Sequence, residues 1–158
     1  MDYRINNEAI VGCVIARVAE RGPYEVPFVT GMVNVLMSPR LRKKAYKTDA
    51  SNIKELSAIF GQIDGDLLGV IMNSMTLLLE GGCLQNAEDK LDITETGKQL
   101  CQDMGDGKCK ILREVLRNMD EILFKFDIIE KTKLYEQMWI AVYFIVTYTF
   151  IIYTNIIS

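Results

Sequence analysis

Apolar residues recur at helical spacing along most of the chain, and the interruptions between these runs mark the expected elements. Ile10, Val11, Val14, Ile15 and Val18 form a first stripe behind Asn6 and Asn7, which are good capping types. The stripe stops at Arg21-Gly22-Pro23, so the spacing predicts a helix over 8–21. Phe28, Val29, Met32, Val33, Leu36 and Met37 repeat the pattern up to Ser38-Pro39. Val26, Val29, Val33 and Val35 lend that stretch some strand character, and a helix is the reading adopted. Pro39 suits the first position of a new short helix, where its missing N–H costs nothing. Ser51 or Asn52 then caps a segment carrying Ile53, Leu56, Ile59 and Phe60, which ends near Gly61. Ile63, Leu67, Leu68, Ile71, Met72, Met75, Leu78 and Leu79 mark one wide apolar face before Gly81-Gly82, the pattern of a central core helix.

The period changes after that stop. Cys83 to Gln85 and Lys90 to Ile93 read as two short strands around the turn-rich Asn86-Ala87-Glu88-Asp89, a β-hairpin or wing within about 83–94. Thr94 caps a short helix that ends in Met104-Gly105-Asp106-Gly107. Ile111, Leu112, Val115, Leu116, Met119, Ile122, Leu123 and Phe126 predict one further helix, with a short break expected over Asp127 to Lys131. The expected class is therefore mainly α: a helical domain over 1–137 with a small, winged-helix-like β-hairpin.

Residues 138–158 differ in kind. Glu136 is the last charged residue, and the chain beyond it is rich in Ile, Val, Tyr, Phe and Thr. A run of about 20 apolar residues just crosses a bilayer core of roughly 30 Å. Thr147, Thr149, Thr154 and Asn155 lower its hydrophobicity, and Lys131 and Lys133 are the only cations nearby. Docking onto protein is the favoured expectation, with Trp139, Tyr143, Phe144 and Phe150 as its contact residues. A membrane tail is the less favoured alternative.

Composition narrows the chemistry. The 158 residues suit one domain, and 49% apolar with 25% charged residues is ordinary globular usage. The chain contains no histidine, which removes the commonest general base, metal ligand and partner for a Ser or Cys nucleophile. Cysteines 13, 83, 101 and 109 form no CxxC pair, so a zinc ribbon is not expected. Asp64 with Asp66, and Glu88 with Asp89, lack the supporting ligands of a metal or acid–base site. Gly61, Gly65 and Gly69 lack the GxxxxGK[ST] context of a phosphate loop and read as helix-end or close-packing glycines, as does Gly31. No enzyme, cofactor or metal site is expected. Met1 to Glu8 lacks the layout of a secretory signal, so a cytoplasmic location with reduced thiols is expected.

The net charge of −3 provides no general attraction to phosphate, yet Arg40, Arg42, Lys43, Lys44 and Lys47 form one local basic patch. These five residues are the expected contact for DNA or for an acidic partner. A long helix, a Gly-Gly stop and a hairpin also suit a winged-helix DNA-binding regulator. Against that reading, no Lys or Arg lies between Gln62 and Glu80, the stretch that would enter a groove.

The order of segments resembles the small middle components of bacterial three-component ABC-ATPase systems, including the accessory subunit of Lamassu-type anti-phage systems. The resemblance spans roughly Asn6 to Val142. It is carried by the opening helix at Asn6 to Arg17, the apolar segment Pro27 to Leu36, the string Ser38-Pro39-Arg40-Leu41-Arg42, the long central helix, the hairpin and a closing helix pair. Glu8 follows Asn7 where that family usually has Asn-Pro, and the tail after Val142 has no expected counterpart. The resemblance implies a non-catalytic adaptor beside an SMC-like ATPase and an effector subunit of nuclease type. It implies antiviral defence or DNA surveillance, with DNA reached through the complex.

Overall fold

The structure, a computed structural model, describes residues 3–104, 109–132 and 140–157, with side chains described for 8–103, 109–131 and 144–155. Its described residues are mainly helical with one small antiparallel sheet, the expected class. In chain order the elements are α1 Tyr3–Glu20, β1 Tyr24–Glu25, α2 Val26–Met37, α3 Pro39–Lys47, α4 Ile53–Phe60 and α5 Gly65–Glu80. They continue with β2 Leu84–Ala87, β3 Lys90–Ile93, α6 Glu95–Met104, α7 Lys110–Arg117, α8 Met119–Thr132 and α9 Ile140–Ile157.

Helix α2 is the floor of the molecule. Every residue from Val26 to Leu36 is buried, with Pro27 seated in its first turn. A helix apolar on all sides is stable only when surrounded, and α1, α3, α4, α5 and α9 all pack on this one. Burial and Pro27 together override the strand propensity of its valines. Phe28, Phe60 and Phe126 join α2, α4 and α8 in one aromatic column, with ring centroids 6.2 and 5.7 Å apart. Burying each ring contributes about 1.5–3 kcal/mol. Gly31 makes the column fit, because a Cβ there would lie 2.1 Å from the Phe60 ring. Asn34 is buried but satisfied: it donates to the Gln62 carbonyl at 2.7 Å and accepts from the Asp64 amide at 3.2 Å. Those bonds tie α2 to the α4–α5 loop.

The expected stops and caps largely form. Asn52 accepts from the Glu55 amide, Gly61 closes α4, and the Asp64 carboxylate caps α5 by accepting from the Asp66 and Leu67 amides. The Thr94 hydroxyl accepts from the Gly97 amide at 3.1 Å and donates to the Gly82 carbonyl, joining α6 to the end of α5.

Four local expectations are corrected. Helix α1 begins at Tyr3, so Asn6 and Asn7 lie inside it; Asn costs a helix interior well under about 1 kcal/mol and does not stop one. The hairpin turn contracts to Glu88 and Asp89, with φ of 53° and 65°, because a two-residue turn with left-handed centres matches the twist of the strands. Strand β2 therefore runs on to Ala87. A third strand, the two-residue β1, pairs antiparallel with β3 in the order β1-β3-β2, and such a short segment leaves no periodic signal.

The fourth correction concerns α7 and α8, expected as one helix followed by a break. They divide at Asn118, and α8 runs straight through Asp127 to Lys131. Ile129 continues the buried stripe of Ile122, Leu123 and Phe126, and Lys131 pairs with Asp127 one turn back at 3.1 Å.

Helix α9 lies against α2 and α5. It inserts the fully buried Val146, and Phe150 and Tyr153 pack on the core beside it. Among the described residues no helix is long and apolar enough to cross a membrane.

Candidate functional site

Helix α3 sorts the five basic residues into two roles. Leu41 and Ala45 face inward and are buried. Arg40, Lys43, Lys44 and Lys47 fall at the same-face spacing and are all exposed, a cationic stripe about 10 Å long. Arg42 points elsewhere. It is half-buried and donates to the Leu36 carbonyl at 2.6 Å, and burial draws its pKa below the usual arginine value, with Glu114 nearby opposing that shift. Four of the five expected contact residues therefore share a surface, and the fifth anchors the helix that carries them.

The mounting is stiff at both ends. Ser38 caps the start by accepting from the Leu41 amide at 3.3 Å, and Pro39 presets the first turn. At the other end Lys125 reaches over from α8. Its buried ammonium donates to the carbonyls of Ala45, Tyr46 and Thr48 at 3.0, 2.7 and 2.7 Å and lies 5.8 Å from the Tyr46 ring centroid. A cation on the last carbonyls of a helix satisfies acceptors that have no intrahelical donor and opposes the dipole there. Nothing in the local sequence around Lys125 marks this role, because its partners lie 77 to 80 residues away.

The stripe is only lightly neutralised. Arg40 donates to the Gln62 side chain at 3.0 Å, and Lys44 meets Glu55 at 3.7 Å in an exposed pair. Such a pair is worth about 0–1 kcal/mol and exchanges readily for a stronger anion.

The second candidate surface is α9. Of the expected docking residues, Phe144 is 73% exposed, whereas Phe150 turns inward onto the core. Trp139 and the side chain of Tyr143 lie outside the described residues. Ile145, Tyr148, Ile151 and Ile152 join Phe144 on the outer face, a set missed in the sequence because an uncharged helix shows no polar side by which to orient it.

Helix α5, the helix before the hairpin and the expected groove reader of a winged-helix reading, follows α3 and α4 in the order α1-β1-α2-α3-α4-α5-β2-β3. Over its length only Gly65, Asp66, Leu77 and Glu80 are exposed, and α1, α2, α9 and β2 cover the rest. The hairpin tip is Glu88-Asp89. A covered helix without cations and an acidic wing are poorly suited to phosphate.

Burial pushes the Cys101 thiol up to about 11, so it stays protonated at neutral pH. Among the described residues no three Cys, Asp or Glu side chains converge on a metal position, and Asp64 works as a helix cap. A depression of about 160 Å³ is lined by Arg17, Glu20, Lys98, Cys101 and Gln102, small beside ordinary ligand pockets of roughly 300–1,000 Å³.

Fold and surface together define a mainly helical domain with a small three-stranded antiparallel sheet that displays one cationic helix. The chain matches no family model, no curated protein and no solved structure.

Proposed function

We propose that this chain is a non-catalytic adaptor subunit of a larger assembly and that the α3 stripe is its contact with DNA backbone or an acidic partner surface. The supporting observation is the sorting of the basic patch: Arg40, Lys43, Lys44 and Lys47 on one exposed line, with Arg42 and Lys125 holding that line in place. A fixed cationic surface binds a polyanion with less ordering cost than a mobile one. The sequence resemblance extends the proposal: the assembly is a bacterial anti-phage or DNA-surveillance complex in the cytoplasm. In it, this subunit bridges an SMC-like ATPase and a nuclease-type effector.

The test is purification of the tagged chain from its native cells, with mass spectrometry of what accompanies it. An ATPase with ABC-type heads and coiled-coil arms should co-purify in near-stoichiometric amount. The variant R40E/K43E/K44E/K47E should lose that ATPase, or the DNA held by the complex, by about tenfold or more. Recovery of the chain alone overturns the adaptor reading. An unaffected fourfold variant reduces the stripe to a solvated face.

A further inference from the structure

The inner face of α9 consists of Val146, Thr149, Phe150, Tyr153 and Thr154, all buried or half-buried, and it spends the helix's contact with α2 and α5. The outer face remains uncovered. Phe144, Ile145, Tyr148, Ile151 and Ile152 are exposed by 73, 53, 68, 50 and 38%. No charged side chain interrupts it, because none occurs after Glu136.

We propose that this outer face pairs with the same face of a second copy of the chain, forming a two-fold dimer through an α9–α9 helix pair. The first reason is spacing. Ile145, Tyr148, Ile152 and Asn155 follow one another at three, four and three residues, the alternation that seats the side chains of one helix between those of another. Ile145 and Ile152 then take the first-type seam positions and Tyr148 and Asn155 the second, so the seam is apolar apart from Asn155 near its end.

Charge supplies the second reason. Each copy carries a net −3, and α9 carries no charged residue, so two copies would meet there with no like charges opposed. The same lack of cations argues against a lipid surface, because helices that lie in a membrane interface flank their apolar side with Lys and Arg.

Area is the third reason. The five outer side chains present on the order of 500 Å², so two copies would bury on the order of 1,000 Å², the lower bound for a specific interface. The dimer is therefore expected to be reversible, with Kd in the range of about 1–100 µM.

Sedimentation velocity of the full chain over ~1 to ~200 µM tests this directly. The mass should rise from 18.0 kDa towards twice that value. Tyr148→Glu and Ile152→Glu should each weaken association by about a hundredfold by placing an unpaired charge in the seam. Because Tyr148 is 68% exposed, circular dichroism and the thermal midpoint of Tyr148→Glu should stay at the dilute wild-type values. A wild-type chain that remains monomeric over the whole range overturns the proposal, whatever the variants do, and so does a dimer that survives Ile152→Glu. Flotation of a monomeric chain with phosphatidylcholine vesicles would make lipid the occupant and equally overturn it.

Discussion

Helices α3 and α9 stand on the same floor, α2, yet they are held and displayed in opposite ways. Helix α3 buries only Leu41 and Ala45 and is fixed by directional bonds: a serine cap, the Arg42 guanidinium and the three-carbonyl grip of Lys125. Helix α9 is held by Val146, Phe150 and Tyr153, contacts without strong direction. Outward, α3 shows four cations and α9 shows five large apolar side chains. A charged stripe is at ease in water and can wait for a partner, whereas an apolar face of that size gains free energy whenever it is covered. Polar anchors also fix orientation, so the cationic surface is preorganised for recognition in a way that the apolar one is not.

Breaking the shared floor should have the largest effect. Gly31→Ala drives a methyl into a Phe60 ring already confined by Phe28 and Phe126, so stability in a denaturant titration should fall by about 3 kcal/mol. Both helices should then lose amide protection together. Lys125→Met removes only the directional grip: three carbonyls at the end of α3 lose their cationic donor, with an expected loss of about 2 kcal/mol. Hydrogen exchange should rise in α3 and leave α9 as it was.

Val146→Ala is the converse experiment. Deleting two buried methyl groups beneath α9 should cost about 1–2 kcal/mol and speed exchange there while α3 stays protected. The smallest effect on stability belongs to R40E/K43E/K44E/K47E, within about 1 kcal/mol, since all four residues are exposed. Where the proposed contact is with DNA, the same variant should weaken that binding by about tenfold or more and flatten its salt dependence by a slope of about 3 to 4. A large stability loss in this variant, or none in Lys125→Met, would reverse the assignment of anchor and display.

Much of this architecture is legible along the chain. Ser38-Pro39, Asn52, Gly61, Gly81-Gly82 and Thr94 act within a few residues of themselves through caps, fixed φ values and terminal turns, so their effects follow from local order. The inward stripes of α4 and α5 follow likewise from spacing, whereas α2 is buried on every side. Where the reading fails, distant atoms intervene. Strand β1 exists because β3 lies beside it. Residues Asp127 to Lys131 look like a polar break until Ile129 is seen filling the core.

The candidate site divides along the same line. That residues 40–47 carry a basic patch is plain from the sequence. That Arg42 is withdrawn from it required the position of the Leu36 carbonyl. Lys125 has no local signature as an anchor of α3.

By itself, the sequence determined the helical class, most of the stops, the position of the hairpin, the absence of imidazole and the uncharged character of the tail. Each of these depends on residue identity and short spacing. Tertiary structure alone decided which cations face water, which lysine closes the end of α3, and which side of α9 is spent on the core. Those outcomes depend on where a donor or a ring arrives from tens of residues away, and local periodicity carries no record of that arrival.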